Sequence, residues 1–315
     1  MIYLDITGRC GNQLFQYAFG RKLSILNNDF RFVFDFFHTD RVRKEKNDDS
    51  FCESLYDFNV LPFESKIDNG NNVASHGSKK QKKLYENYWK VRKISPHLSF
   101  FHLLQKHQNK MQKHGVYKED ECVLVPCVTK EENIFARGYF ENPEYFDDIR
   151  DILLKEFTPK HEKKEKNKKL YEIIENNESV CLSFRVWNEI ANDAALLKQR
   201  DVCTKEYYLA AIEKMHETHQ NAIFIVFSND VDWVKKNIHI DYPVYYEDGD
   251  DEVWEKLRLM YSCKHFIMST STFCWWAQYL SRNNNKTVIS PDKWYADGTD
   301  SKLIMDDWIK IADYE

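Results

Sequence analysis

The sequence predicts an α/β fold with two Rossmann-like domains that face a cleft. Strand-like and helix-like segments alternate along the chain, which favours parallel sheets covered by helices. The alternation restarts after a charged stretch at 158–169 that has a proline near its start. We therefore predict one domain over residues 1–158 and a second over 159–300. A final helix is predicted within 301–315, at about 301–311, and a crossing back to the first domain is left open.

The first domain begins with a strand, a glycine turn and a helix. Residues 2–7 alternate apolar and polar side chains, as a half-buried strand does. The helix predicted over 13–26 places Leu14, Ala18 and Leu23 at helical spacing. Its further predicted elements are a phenylalanine-rich strand at 30–37, an irregular stretch at 47–72, and a strand, turn and helix within 133–157.

The second domain repeats this alternation. Apolar runs of strand length stand between segments of helical period, and Thr204 is a candidate N-cap. The predicted strands lie at 178–186, 222–230, 244–247, at the start of 265–281 and at 286–291. The predicted helices lie at 204–219, 230–238, 251–263 and at the end of 265–281.

Composition excludes several classes of protein. The chain has 315 residues, of which 43% are hydrophobic, and a net charge of −5, so nothing drives it as a whole toward nucleic acid. No apolar run reaches the ~18–20 residues of a membrane span, and we expect no signal peptide. The eight cysteines form no C-x-x-C pair, which predicts reduced thiols, a cytoplasmic location and no zinc site.

A basic stretch with interleaved aromatic residues occupies 78–93. It is read first as a solvated helix that turns Leu84, Tyr88 and Val91 inward. A second reading is a peripheral contact with an anionic surface, such as the inner leaflet of a membrane or a phospholipid-linked substrate. Nucleic acid is a third reading, and the acidic net charge argues against it.

Polar clusters follow several predicted strands, at 8–13, 183–193, 228–230 and 269–273. Ligands of open α/β sheets bind beyond the carboxyl ends of strands, so these clusters are the candidate site. None of them matches a Walker loop or a G-x-G-x-x-G fingerprint. An ordinary strand–helix turn is the alternative for the first cluster.

Individual residues in these clusters have both a binding and a structural interpretation. Arg185 suits a bidentate clamp on a diphosphate, or it forms a structural ion pair. Ser271 and Thr272 offer hydroxyls at a helix start to a phosphate, or they cap that helix. Asp230 accepts hydrogen bonds from a nucleobase or ribose, or it forms a turn or a helix cap. The neighbouring tryptophans at 275–276 favour packing over a sugar platform.

Six ordered segments carry the most specific signal. They are GRCGNQLFQYA (8–18), ARGYFENPEYF (136–146), CTKEYY (203–208), FSNDVDWV (227–234), CKH (263–265) with TSTFCWWA (270–277), and ISPDKW (289–294). Together they resemble the bacterial α1,2-fucosyltransferases of glycosyltransferase family eleven, whose first motif reads G-G-L-G-N-Q-M/L-F-Q-Y-A. The resemblance covers nearly the whole chain except residues 40–130, and it implies a GT-B type glycosyltransferase.

One family motif departs sharply in this chain. The family sequence H-x-R-R-G-D-Y aligns so that Ser183 replaces the histidine and Val186 replaces the second arginine. Asn188 and Glu189 replace the aspartate and the tyrosine, and only Arg185 is retained. In related fucosyltransferases that arginine contacts the donor diphosphate and the histidine lies near the guanine. The diphosphate clamp is therefore expected to persist while the reading of the base or sugar changes.

The resemblance implies an inverting, metal-independent transfer of fucose from GDP-fucose to a sugar hydroxyl, with an α1,2 linkage on a glycan. The implied partners are a nucleotide-sugar donor, bound by the second domain, and an oligosaccharide or lipid-linked glycan acceptor on the first. No cofactor is implied. The donor-binding residues implied are Gly11, Asn12, Gln13, Ser183, Arg185, Asp230, Ser271, Thr272 and Phe273.

The catalytic base is predicted less directly. Glu189 and Asp193 both follow the strand that carries Arg185, so we take these three as the catalytic set. Surface charge is the alternative for both carboxylates. Two other functions compete with this one. The first is a glycosyltransferase of the same fold with another donor or linkage, and the second is a nucleotide- or glycan-binding protein without activity.

Overall fold

The computed structural model describes residues 1–67, 76–94, 101–119, 122–187 and 192–312. The chain divides into two compact units, Met1–Phe157 and Thr158–Glu315. Each unit contains one parallel β-sheet with helices between its strands. The predicted α/β class with two Rossmann-like domains is therefore confirmed. Over the described residues, no helix combines the length and the apolar character needed to cross a bilayer.

The described part of the first unit forms five strands, which are β1 (Ile2–Asp5), β2 (Phe32–Asp35), β3 (Phe63–Lys66), β4 (Val116–Lys118) and β5 (Ile134–Arg137). They form a parallel sheet in the order β3-β2-β1-β5-β4. Its helices are α1 (Cys10–Asn27), α2 (Phe37–Lys46), α3 (Lys79–Ile94), α4 (Phe101–Lys113) and α5 (Arg150–Glu156). The prediction of an irregular stretch at 47–72 is wrong at β3. This strand pairs with β2 although only the first of its four side chains is apolar.

In the second unit, the residues that the structure describes form six strands, which are β6 (Glu178–Phe184), β7 (Ala222–Ser228), β8 (Val244–Tyr246), β9 (His265–Ile267), β10 (Val288–Pro291) and β11 (Ile309–Ile311). They form a parallel sheet in the order β11-β10-β9-β6-β7-β8. Its helices are α6 (Lys168–Asn176), α7 (Ala194–Arg200), α8 (Lys205–Thr218), α9 (Val231–Asn237), α10 (Val253–Ser262) and α11 (Thr272–Leu280).

The predicted C-terminal helix at 301–311 is wrong. Residues 301–308 form turns, and β11 then pairs with β10 at the edge of the second sheet. The local reason is that Ile309 and Ile311 are β-branched and alternate with Lys310, which is the period of a strand. Ile311 packs into the core of this unit, and the segment therefore completes the second sheet.

Helix α1 lies close against the central strand of the first sheet. Its predicted inward positions Leu14, Ala18 and Leu23 are all fully buried. Gly20 permits this approach, because a Cβ atom there would stand 2.6 Å from Cδ1 of Leu4. The close packing positions the N-terminus of α1 beyond the carboxyl end of β1.

A buried polar network joins α1 to α5. The Nε of Arg21 donates to both carboxylate oxygens of Glu156, at 2.9 and 3.1 Å. The Tyr17 hydroxyl donates to the same carboxylate at 2.7 Å and accepts the backbone N–H of Leu61 at 3.0 Å. Arg21 and Glu156 are each about nine-tenths buried, so each compensates a charge that would otherwise be costly.

Charged residues also meet at the carboxyl edge of the first sheet. Asp5 lies between Asp35 and Arg137 in strand register. Its Oδ2 is 2.9 Å from Nε of Arg137, whose Nη2 is 2.9 Å from Nε2 of His38. Burial raises the pKa of Asp5 to about 6, although Arg137 opposes the shift and Asp35 adds to it. Burial and Arg137 also lower the pKa of His38.

We predict that Glu156→Ala lowers the free energy of unfolding by about 3–5 kcal/mol, because it leaves Arg21 buried without its counter-charge. Denaturant unfolding measures the loss. The matched control is Asp148→Ala, which removes the exposed ion-pair partner of Lys22 on the same helix and costs less than about 1 kcal/mol. Equal losses in the two variants would contradict the role given to the buried network.

We predict that Asp5→Asn removes a pH dependence of stability. The folded pKa of about 6 exceeds the ordinary value of 3.8, so the folded carboxyl keeps a proton that the unfolded one has lost. The contribution of Asp5 to stability therefore falls as pH rises from about 4 to about 6, by up to about 3 kcal/mol. Unfolding measured from pH 4.5 to 7.5 should show the variant gaining on the parent as pH rises. The exposed Asp232→Asn should show no such gain, and parallel curves for Asp5→Asn and the parent would refute the assignment.

Candidate functional site

The order of the second sheet places a switch point between β6 and β9. From β6 the chain continues to β7 and β8 on one side, and later to β9, β10 and β11 on the other. Because all pairs are parallel, the carboxyl ends of β6, β7 and β9 lie at one edge. Such an edge forms the crevice in which open α/β sheets bind ligands. Three of the four predicted polar clusters lie there.

Ser183 and Ser269 face each other across this switch point. Their hydroxyl oxygens are 3.1 Å apart, and both side chains are buried. Ser183 belongs to β6 and Ser269 follows β9, so this hydrogen bond holds the two strand ends together. The predicted donor-binding Ser183 therefore lies at the switch point, with its hydroxyl engaged by the neighbouring strand.

Arg185 leaves β6 immediately after the buried strand and is half-buried. Its Cζ lies 4.6 Å from the ring centroid of Trp187. A guanidinium stacked on an aromatic ring keeps its N–H donors pointing outward in its own plane. Two of these donors can then bind one anion in a bidentate manner. Asn229, which follows β7, fixes the next residue: its Nδ2 donates to Val186 O at 2.8 Å and its Oδ1 accepts Val186 N–H at 2.9 Å. This role of Asn229 was not predicted.

Helix α11 begins beside these residues. Ser271 is its N-cap residue, and within the described chain its side chain makes no capping hydrogen bond to α11. Ser271, Thr272 and Phe273 are half-buried, and the first turn carries no acidic residue. The first N–H groups of a helix point outward with a partial positive charge. The predicted phosphate-facing segment thus combines hydroxyls with a helix N-terminus.

The CTKEYY motif (203–208) stabilises the turn that precedes α11. Thr204 caps α8 by accepting the N–H of Tyr207 at 3.3 Å, as predicted. The buried hydroxyl of Tyr207 then donates to the carbonyl of Met268 at 2.6 Å. Because Met268 directly follows β9, this bond fixes the backbone that leads into α11. Sequence analysis identified the motif but missed the role of Tyr207.

Asp230 has the structural role that was predicted as its alternative. Its Oδ1 accepts the backbone N–H of Trp233 at 2.9 Å and caps α9. Its own N–H donates to the hydroxyl of Ser228 at 3.0 Å. The cap holds the carboxylate at the carboxyl end of β7, next to the strand that carries Arg185. Recognition of a nucleobase by Asp230 stays a prediction.

The two predicted bases have different outcomes. Asp193 is exposed, and its Oδ1 caps α7 by accepting the N–H of Leu196 at 3.0 Å. It also borders a cavity of about 520 Å³ together with Gln199 and Asp297. Glu189 lies outside the described residues, so its role stays a prediction. The geometry assigns Asp193 a structural function as a helix cap.

The glycine turn of the first unit lies beyond β1, at the centre of its sheet. Gly8 has a φ of +81°, a conformation that favours glycine. Gly11 is buried, and Asn12 is half-buried with its Nδ2 donating to Oε1 of Glu141 at 3.1 Å. Glu141 belongs to the segment that follows β5. The hydrogen bond therefore joins the segments that follow β1 and β5, the two neighbouring strands at the switch point of this sheet.

Gln13, predicted to bind the donor, is fully buried and structurally committed. Its Nε2 donates to Gly8 O at 3.0 Å and to Cys52 O at 2.7 Å, while its Oε1 accepts Ser54 N–H at 3.0 Å. Both amide hydrogens are thereby used, so the geometry points to loop support for Gln13. A comparable role for Gln16 was missed: it joins Thr7 to Gly138.

One side-chain cluster has the composition of a metal site. Glu178, His219 and His265 meet at the amino edge of the second sheet. The N–H of Thr287 donates to Nδ1 of His265 at 2.9 Å, so Nε2 carries the proton and donates to Glu178 at 2.5 Å. Neither nitrogen of His265 then offers a lone pair to a metal.

A second cluster is acidic and comprises Glu247, Asp248 and Asp251. Nζ of Lys166 lies 3.3 Å from Asp248 and 3.1 Å from Asp251, and Nζ of Lys256 lies 3.1 Å from Glu247. These two ammonium groups already neutralise the carboxylates that would bind a metal cation. The cluster is therefore a set of ion pairs within the second unit.

Comparison with known proteins places these features in a family. The model of "Glycosyl transferase family 11" matches residues 1–312. The O-antigen biosynthesis glycosyltransferase WbnK of Escherichia coli is 29% identical over 98% of this chain and all of its own length. An alpha-1,2-colitosyltransferase of Escherichia coli is 30% identical over 50% of this chain and 55% of its own.

Other matches either cover less of the chain or share less of its sequence. Human galactoside alpha-(1,2)-fucosyltransferase 1 is 30% identical over 30% of this chain and 24% of its own length. The solved structure of NodZ alpha-1,6-fucosyltransferase soaked with GDP-fucose matches with a TM-score of 0.49 at 10% identity, over 92% of this chain and 94% of that one. Since the family model covers nearly every residue, the predicted membership is confirmed: this chain belongs to glycosyl transferase family 11 and is a glycosyltransferase.

Proposed function

We propose that this chain transfers fucose from GDP-fucose to a sugar hydroxyl, with inversion at the anomeric carbon and formation of an α1,2 linkage. The observation that carries the proposal is the meeting of Arg185, the turn before α11 and the N-terminus of α11 at one switch point. The alpha-1,2 activities in the names of two relatives support the linkage. The acceptor is an oligosaccharide or a lipid-linked glycan.

The donor's diphosphate accounts for the positive character of this edge. Arg185 binds its oxygens with the guanidinium fork, and Ser271 and Thr272 donate hydroxyls beside the N-terminus of α11. During transfer the acceptor oxygen bonds to the anomeric carbon, and the bond from that carbon to the diphosphate breaks. The electron pair leaves with the diphosphate, where these groups stabilise the growing charge. They supply the charge stabilisation that a bound metal ion provides in other transferases.

A second donor is favoured by one specific difference. Ser183 stands where the family motif has histidine, and its hydroxyl bonds to Ser269. Asp230 accepts hydrogen bonds from the guanine in addition to the hydrogen bond by which it caps α9. The proposed donor and the alternative donor therefore share a guanine nucleotide. The alternative is therefore a related deoxysugar on the same nucleotide. The name of one relative, alpha-1,2-colitosyltransferase, gives colitose as the sugar that enzyme transfers.

We predict that GDP and GDP-fucose bind without a divalent ion and that Arg185→Ala weakens GDP binding by about 10- to 100-fold, because charge-assisted hydrogen bonds to the diphosphate are lost. Calorimetry measures binding for GDP, GDP-fucose, GDP-mannose, UDP and the colitose nucleotide, with magnesium and with a chelator. The matched control is Arg282→Ala, which removes an exposed arginine after the far end of α11 and should leave GDP binding unchanged.

Three results would contradict the donor assignment. They are a preference for UDP, a requirement for magnesium, and equal GDP affinity in Arg185→Ala and the parent. GDP binding with no turnover on any glycan would instead identify the non-catalytic binding protein that the sequence left open. Turnover with the colitose nucleotide but not with GDP-fucose would select the alternative donor.

We further propose Glu189 as the base that takes the acceptor proton, since Asp193 caps α7. Glu189→Gln should lower kcat by about 100-fold or more, because proton removal is lost while the side chain keeps its size. The control is Asp193→Asn, which preserves a capping oxygen and should retain turnover. Initial rates and GDP affinity are measured together. Full turnover in Glu189→Gln, with its fold intact, would disprove the proposal.

A further inference from the structure

Two helices of the first unit concentrate positive charge. Helix α3 carries seven lysine and arginine side chains and α4 carries three, against one carboxylate, Glu86. The whole chain has a net charge of −5. The charge of α3 and α4 is therefore opposite in sign to that of the protein and is confined to one layer of this unit. The sequence singled out only the α3 part of this surface, and the structure adds α4.

The apolar faces of both helices are buried in a shared core. Leu84 and Tyr88 of α3 pack with Leu104 and Met111 of α4 in one cluster, together with Phe135 of β5. The predicted inward face of α3 is thereby confirmed. The lysines lie on the opposite sides of the helices, as the 100° step of a helix requires.

Seven exposed lysines form one stripe on each helix, and the exposed Lys80 of α3 lies outside them. On α3 the stripe consists of Lys79, Lys83, Lys90 and Lys93, which fall within an arc of about 80°. On α4 it consists of Lys106, Lys110 and Lys113, which fall within an arc of about 60°. All seven side chains are exposed. We call these seven residues the lysine surface.

Over the part of the chain that the structure describes, the lysine surface keeps a net positive charge, although the exposed Glu86 lies within the arc of the α3 stripe. Among the described residues, none of the seven has a carboxylate within ion-pair distance. Some lysines elsewhere are paired, such as Lys166 with three carboxylates and Lys44 with Asp40. Unpaired cations on adjacent helices attract a polyanionic partner, and their combined field is strongest near a surface of high charge density.

Two exposed apolar side chains adjoin the lysine surface. Trp89 of α3 is 42% exposed and Leu103 of α4 is 49% exposed. Each side chain lies beside the lysine stripe of its own helix. Trp89 lies in the C-terminal half of α3, and Leu103 lies near the N-terminus of α4, which is the next helix in the chain. An indole ring next to lysines is suited to the boundary between headgroups and acyl chains. A phosphate backbone alone would offer no counterpart to these apolar groups.

We propose that the lysine surface, with Trp89 and Leu103, docks the protein on a bilayer that contains anionic lipids. The lysines contribute the attraction to headgroup phosphates, and each adds about fivefold in affinity near such a surface. Trp89 and Leu103 enter the interface and add a contribution that salt does not screen. This docking does not depend on the donor proposed above, because the seven lysines, Trp89 and Leu103 are all outside the set of predicted donor-binding residues.

Vesicle binding tests the proposal on the full chain. Flotation with phosphatidylglycerol–phosphatidylcholine vesicles should recover the protein, whereas pure phosphatidylcholine vesicles should not. Rising salt should release most of the bound protein. Replacing the α3 stripe with glutamate (Lys79→Glu, Lys83→Glu, Lys90→Glu, Lys93→Glu) should weaken binding by more than 100-fold. Trp89→Ala should weaken it severalfold and leave less protein bound at high salt.

The matched control reverses four exposed lysines of the second unit, Lys205, Lys214, Lys235 and Lys236. It changes the net charge equally and should retain vesicle binding. Thermal unfolding and GDP binding confirm that both quadruple variants are folded, and they separate loss of docking from loss of the donor site. Equal losses in the two variants, or no binding to anionic vesicles, would overturn the proposal. Tighter binding to duplex nucleic acid than to vesicles would overturn it in favour of a nucleic-acid surface.

Discussion

The hydrogen bond between Ser183 and Ser269 joins the ends of β6 and β9, where the chain turns to opposite sides of the second sheet. At this position two parallel strands are neighbours, yet the segments that leave them separate and open a crevice. Arg185 follows one strand and α11 follows the other, so the bond sets the distance between a guanidinium and a helix N-terminus. The remaining contacts, from Asn229 and Tyr207, fix the backbone on each side of it. Site geometry here depends on strand pairing more than on any flexible loop.

The family motifs contain two kinds of residue, and burial separates them. Gln13 and Tyr17 are fully buried, and each uses its polar atoms on the protein itself. Trp275 and Trp276 are also fully buried, which settles their role as packing rather than as a sugar platform. A minority of the motif residues remain partly exposed at the carboxyl edges, such as Asn12, Arg185 and Thr272. The residues of a motif shared by a family thus include those that support a site structurally as well as those that line it.

Sequence reasoning succeeded where the signal was local. The strands β6 and β7 are apolar runs of full length, and the polar clusters follow directly from where those runs stop. It failed at β3 and β11, which are four and three residues long and depend on a neighbouring strand rather than on their own pattern. It also missed the contact of Arg21 with Glu156, because partners 135 residues apart leave no periodic trace. The hydrogen bonds of Gln13 were missed for the same reason, since the backbone groups that saturate its amide come partly from residues 52–54, and donor binding by Gln13 stays a prediction.

The change from the family's histidine to Ser183 has a steric meaning in this fold. Ser183 is 6% exposed, and its partner Ser269 is fully buried. An imidazole at this position would need volume that the paired hydroxyls now fill, and close-packed interiors do not provide such volume without displacement of neighbours. The serine therefore fits a sheet edge that differs from the family pattern in shape as well as in hydrogen bonding. Arg185 stacks on Trp187, which is outside this packed pair, so the stacked position of its guanidinium does not depend on the residue at 183. If the chain binds the proposed donor, divergence in this motif therefore affects the part of the donor next to the strand ends and leaves the proposed contact of Arg185 with the diphosphate in place.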